Sequence, residues 1–96
     1  MLRVYIAGPM EGLKDHNAPA FKSAADRLTG HGWLPFNPAK PPLKTELSRR
    51  ELMAHDLTWI ATRADGIYML RGWELSSGAF AEWALARALN LQIFYE

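Results

Sequence analysis

Two acidic side chains sit where the surrounding sequence makes no provision for charge. Glu82 lies in "SSGAFAEWALA" (residues 76–86), and its helical neighbours three and four positions away are Gly78, Ala79, Leu85 and Ala86, with no cation among them. Asp56 is flanked at the same spacing by Leu52, Met53, Trp59 and Ile60, while Arg49, Arg50, Thr58 and Thr62 mark the wet side of its helix. Burying an ionised carboxylate without a partner is costly, so such groups are rare unless paired or useful. For Glu82 the plain alternative is an acid that favours the macrodipole near a helix N-terminus. For Asp56 it is an exposed stripe edge, or a buried group with backbone partners. Two isolated carboxylates on two helices that lean toward one sheet suggest paired acids, which divide nucleophile and acid/base roles in glycosyl chemistry.

Other polar groups could serve such a pair. Tyr5 puts a polar tip into the strand-like run "LRVYIA" (2–7), where the simple reading is a core tyrosine with a satisfied hydroxyl. Ser76 and Ser77 precede the Glu82 helix and suit a cap. That helix N-terminus and the Gly8–Gly12 turn, with Pro9 and Met10 inside it, present backbone N–H groups as an anion cradle. "GPMEG" matches neither the P-loop nor the dinucleotide glycine fingerprint. Asn37 caps or turns the chain ahead of Pro38. His16, His31 and His55 have no ligand spacing with one another and there is no cysteine, so no metal site is expected.

The elements that must position these residues follow from periodicity. "LRVYIA", ended by Gly8-Pro9, reads as a buried strand. Asn17 is a plausible cap, with Pro19 in the first turn, for a helix whose Phe21, Ala24, Ala25 and Leu28 repeat at helical spacing until Gly30 and Gly32. "WLPFNP" (33–38) is a weaker strand, and Pro35 argues for a sheet edge. "AKPPLK" (39–44) is an extended connection. A long helix is expected from Thr45 to about Thr62, with Leu47, Leu52, Met53, Leu57 and Ile60 as its apolar stripe. "DGIYML" (65–70) is a third strand, the Glu82 helix runs to about Leu89, and "LQIFYE" (91–96) is a fourth strand.

Alternating strands and helices predict one α/β domain over residues 1–96, a Rossmann-like three-layer sandwich with helices on both faces. Its four-stranded parallel sheet takes the order 2-1-3-4. The switch point then lies between strands 1 and 3, where "AGPMEG" (7–12) and "RGWELSSG" (71–78) meet, and ligands bind beyond the carboxyl ends of strands there. Glu82 is thereby placed beside the crevice.

Composition narrows the partners. Hydrophobic residues are 49% and charged residues 22%, with eleven basic against ten acidic groups and a net charge of +1, so no basic stripe points to a nucleic-acid polymer. No apolar run approaches the roughly 18 residues of a membrane span, and "MLRVYIAGPM" is too soon broken to act as a signal peptide. A soluble, cytoplasmic protein is expected. Four Trp and four Phe exceed what one small core absorbs, so some are expected to line a pocket or a subunit interface.

Three blocks, "VYIAGPMEG" (4–12), "HDLTWIATRADGIYML" (55–70) and "GWELSSGAFAEWALA" (72–86), give the chain a specific likeness. It resembles the nucleoside 2-deoxyribosyltransferase superfamily, including the 2'-deoxynucleoside 5'-monophosphate N-glycosidases, and within it a set of small proteins common in phages and prophages. The resemblance implies a flavodoxin-like fold, Glu82 as catalytic nucleophile, Asp56 as the acid serving the sugar and the departing base, and Tyr5 as support for the nucleophile. Ser76 takes the place of a sugar- or phosphate-contacting residue. The substrate-binding set expected is Gly8, Pro9, Met10, Gly12, Asn37, Trp73, Ser76 and Gly78. Where the glycosidases carry a serine and an arginine in the first loop, this chain has Pro9 and Glu11, and a glutamate there opposes a phosphate.

The expected activity is cleavage or transfer at the N-glycosidic bond of a 2'-deoxynucleoside or its monophosphate, without metal or organic cofactor, by a homodimer or larger homo-oligomer. Larger relatives continue past the fourth strand, so a base-covering segment is expected from a partner subunit or not at all. The alternatives are a non-catalytic nucleotide-binding module, as a phage accessory factor, and an NAD glycohydrolase.

Overall fold

The computed structural model describes residues 1–39 and 47–96. Four parallel strands, β1 (Arg3–Ala7), β2 (Leu34–Phe36), β3 (Gly66–Met69) and β4 (Gln92–Tyr95), lie in the order β2-β1-β3-β4, as the sequence predicts. In register, Tyr5 stands opposite Phe36 on one side and Ile67 on the other. Three helices connect the strands: α1 (Ala18–Gly30), α2 (Arg49–Arg63) and α3 (Ser77–Ala88).

Strand alternation sorts the core into two layers. Val4 and Ile6 of β1 pack with Phe21, Ala24 and Leu28 of α1 and with Leu70. Tyr5 and Ala7 point the other way, joining Ile67 and Met69 of β3, Ile60 of α2, and Ala79 and Ala86 of α3. The helices therefore cover both faces, with α1 alone on one and α2 and α3 together on the other.

Several boundaries differ from expectation for definable reasons. The second helix starts at Arg49, four residues beyond Thr45, because Ser48 and Glu51 close a capping box. The Glu51 N–H donates to Ser48 Oγ at 3.1 Å and the Ser48 N–H to Glu51 Oε1 at 3.0 Å. Thr45 itself and most of the proline-rich connection lie outside the described residues. Of the stripe expected on this helix only Ile60 is buried, and Leu52 is 40% exposed. Asn17 stands at the α1 N-cap position in the left-handed region but makes no cap bond there. Its side-chain amide instead donates to the Pro9 carbonyl at 3.0 Å, tying the first loop to α1. Two short 3-10 turns, Lys14–Asn17 and Trp73–Leu75, were not expected from periodicity.

Candidate active site

The site is built where β1 meets α2 and α3. Tyr5 is 1% exposed, and its ring stacks on Phe36 at 5.4 Å between centroids and lies against Trp59 at 6.1 Å. A phenol so walled in keeps its hydroxyl in one place, and that hydroxyl donates to Glu82 Oε2 at 2.7 Å. Glu82 is 6% exposed and is the buried charged residue among those described. The helix that carries it packs tightly on α2: a Cβ on Gly78 would come within 3.0 Å of Met53 Cε. The half-buried Asp56 of α2 completes the group.

Burial dominates the electrostatics. Desolvation pushes the Glu82 carboxyl up to about 8, with the Tyr5 hydrogen bond pulling it down and the Asp56 charge adding to the rise. Near neutral pH Glu82 therefore holds its proton far more readily than a free glutamate. Burial also raises Asp56, against the opposing effects of Tyr5 and His55, so it holds a proton more readily than a free aspartate. Burial first, and then the two acids, keep Tyr5 protonated and therefore a donor. The three groups form one coupled proton-holding cluster, in which ionising one acid makes it harder to ionise the other.

These groups open on a cavity of about 700 Å³, inside the ~300–1,000 Å³ range of small-molecule sites. Its wall includes Glu82, Asp56 and Tyr5, together with Gly8, Pro9, Met10, Ser76 and Gly78 of the expected binding set. Ser76 also caps α3, its Oγ accepting from the Ala79 N–H at 3.2 Å. Gly8 has a steric role as well, since a Cβ there would sit 2.7 Å from Leu70 Cβ and push the first loop off the end of β3.

Three expected binding residues lie elsewhere. Gly12 is on the exposed turn beyond the wall, at φ +75. Asn37 turns the chain after β2, its Oδ1 accepting from the Ala39 N–H at 2.9 Å, and so faces its own backbone. Trp73 packs with Trp83 at 5.0 Å and Phe80 at 5.9 Å, and lines a separate small cleft with Tyr95 and Glu96. Of its 3-10 turn, Leu75 and not Trp73 reaches the crevice.

Other wall residues were not singled out as site residues by their sequence context. Leu52 and Met53, read as core, line the cavity with Leu75, which is 93% exposed. At the rim, Arg49 donates through Nη1 to Glu11 Oε1 at 3.2 Å and through Nη2 to Ser77 Oγ at 2.7 Å. On a helical projection Arg49 faces water. Only its contacts with the first loop and with the start of α3, 38 and 28 residues away, bring it to the site.

The family model described as "Domain of unknown function (DUF4406)" matches residues 2–95. The chain belongs to the DUF4406 family. Among solved structures, this DUF4406 chain is similar to a 2-desoxiribosyltransferase from Leishmania mexicana, with a TM-score of 0.75 over 99% of its residues. The two sequences are 19% identical, so the likeness establishes the flavodoxin-like fold, and the chain spans 63% of that structure's length. Comparison with curated proteins returns no match. No described helix is long and apolar enough to cross a membrane, and no group of three or more potential metal ligands occurs among the described residues.

Proposed function

We propose that the chain cleaves or transfers the N-glycosidic bond of a 2'-deoxynucleoside or its 5'-monophosphate. The observation that carries this reading is the buried Glu82 carboxyl, held by the Tyr5 hydroxyl at 2.7 Å and facing a cavity it shares with Asp56. The fold common to this chain and the Leishmania enzyme supports it.

Glu82 in its carboxylate form attacks the anomeric carbon, and an Oε–C1' bond forms as the C1'–N bond breaks. The electron pair of the broken bond leaves with the base. The reactive form is the minor one of the coupled pair, with Glu82 ionised and the proton on Asp56, whose pKa burial raises. Asp56 delivers that proton to the base nitrogen. The transition state is oxocarbenium-like, and the absent 2'-hydroxyl eases its charge development. Water or a second base then attacks C1', releasing Glu82 and returning a proton to Asp56. Two displacements retain the sugar configuration. Tyr5 is a positioning residue: its hydrogen bond aims one oxygen of Glu82 and steadies the ionised form.

Self-association belongs to the same reading. Phe80 and Tyr95, 47% and 57% exposed, both lie against Trp73 and form an apolar patch suited to a second copy, and light scattering should report a dimer or larger species.

The test is a panel of deoxyribo- and ribonucleosides and their monophosphates, incubated with the protein with and without an acceptor base and separated by chromatography. Free base marks hydrolysis, and exchanged base marks transfer. Binding without product at high protein concentration would replace this reading with that of a nucleotide-binding module.

A further inference from the structure

The rim of the cavity carries a charge arrangement that the cleavage chemistry does not use. Among the described residues of the wall, Arg49 is the single lysine or arginine. Its guanidinium fork is split between a carboxylate oxygen of Glu11 and the hydroxyl of Ser77. Both partners lie on the wall too. A planar fork with one arm on an anionic oxygen and the other on a hydroxyl is a geometry that suits a phosphate monoester.

Resting on the glycosyl reading above, we propose that Arg49 recognises the phosphate of a deoxynucleoside 5'-monophosphate, and that Glu11 is a stand-in anion which the phosphate displaces.

Magnitudes favour the exchange. The Arg49 and Glu11 side chains are 62% and 82% exposed. An exposed ion pair of this kind shifts an equilibrium by no more than about fivefold. A phosphate bound by charge-assisted hydrogen bonds to an arginine and a serine is worth on the order of ten- to a hundredfold. Glu11 is also easy to move, because it lies on the exposed first loop, next to Gly12 at φ +75. The glutamate that opposes a phosphate in the bare sequence is thus already engaged, and its departure would leave a cation in place.

The spacing along α3 fits as well. Ser77 and Glu82 are five residues apart, about 7.5 Å along the helix axis, and both line the cavity. That distance suits a sugar with its anomeric carbon at Glu82 and its 5' arm extended toward Ser77 and Arg49.

Calorimetric titration tests the assignment without depending on turnover. The four common deoxynucleosides and their 5'-monophosphates are titrated into the full chain carrying Glu82→Gln, and into the same chain with Arg49→Gln, Arg49→Lys or Glu11→Gln added. The tightest monophosphate should bind at least tenfold more strongly than its nucleoside. Arg49→Gln should erase that ratio while leaving nucleoside affinity unchanged, and Arg49→Lys should retain part of it. Glu11→Gln should tighten monophosphate binding about threefold by removing the competitor. Nucleosides and monophosphates binding alike, with a ratio indifferent to Arg49→Gln, would overturn the assignment and leave the glycosyl reading intact. Binding of neither class would overturn both.

Discussion

The two faces of the sheet show how one strand serves stability and chemistry at once. On the α1 face, Val4, Ile6, Phe21, Ala24 and Leu28 close into an apolar layer with each member at most 2% exposed. On the α2/α3 face, the same strand contributes Tyr5, and the layer there opens at one end into a cavity with Glu82 and Asp56 in its wall. Alternation along β1 allows this, since neighbouring residues face opposite layers and can follow different rules. The α1 layer is apolar throughout, and Ile6 and Phe21 add only hydrocarbon to the cavity wall. The other carries a carboxyl whose burial is unfavourable in its charged form.

That contrast is testable by removing the unfavourable group. Glu82 has a raised native pKa of about 8 against an ordinary 4.5, so the unfolded chain holds fewer protons between those values. Native stability from this group therefore falls as pH rises from about 4.5 to about 8 and is level outside that window. Glu82→Gln should leave stability unchanged near pH 4 and add up to about 5 kcal/mol near pH 8, at about 1.4 kcal/mol per pH unit, measured by urea unfolding. The same variant should lose activity by three orders of magnitude or more. A gain in stability with a loss of function would mark the site as strained for its chemistry.

On the other face the sign reverses. Leu28→Ala, at a site 2% exposed and away from the cavity wall, should cost about 2–5 kcal/mol in urea melts. Turnover per folded molecule should be unaffected.

Tyr5→Phe links the two roles, because it keeps the ring that packs on Phe36 and Trp59 and deletes the hydroxyl. The lost bond should cost activity about tenfold to a hundredfold, equivalent to ~1–3 kcal/mol. Since that bond lowers the Glu82 pKa, its loss should also move the acid limb of the rate profile to higher pH. A rate profile that keeps its position would remove Tyr5 from the mechanism. The smallest effect belongs to the outer surface: Lys22→Ala breaks an exposed pair with Asp26 at 3.0 Å and should change stability by less than about 0.5 kcal/mol.

Legibility in the sequence tracks how local each signal is. The sheet order was readable because three helix-period runs separate four strand-period runs, and right-handed crossovers leave few arrangements. Glu82, Asp56 and Tyr5 were readable because each is a polar residue among apolar neighbours. The start of α2 at Arg49 was also written locally, in Ser48 and Glu51, but the apolar stripe extending back to Leu47 masked it. Leu52 and Met53 looked like core because periodicity reports which face turns inward, not whether a cavity lies there. Gly12, Asn37 and Trp73 fall outside the cavity wall because a loop's neighbourhood in sequence does not fix its direction in space. Arg49 gave no signal at all, since its partners lie far away in sequence, one in the first loop and one at the start of α3.

The most direct test of the account is to acid-quench the protein during turnover of a cleavable substrate and map its peptides by mass spectrometry. The account predicts a peptide spanning Glu82 with the added mass of one deoxyribosyl group, attached at that side chain and missing in Glu82→Gln. Rapid release of base with no adduct on any peptide, and with Glu82→Gln still active, would contradict it.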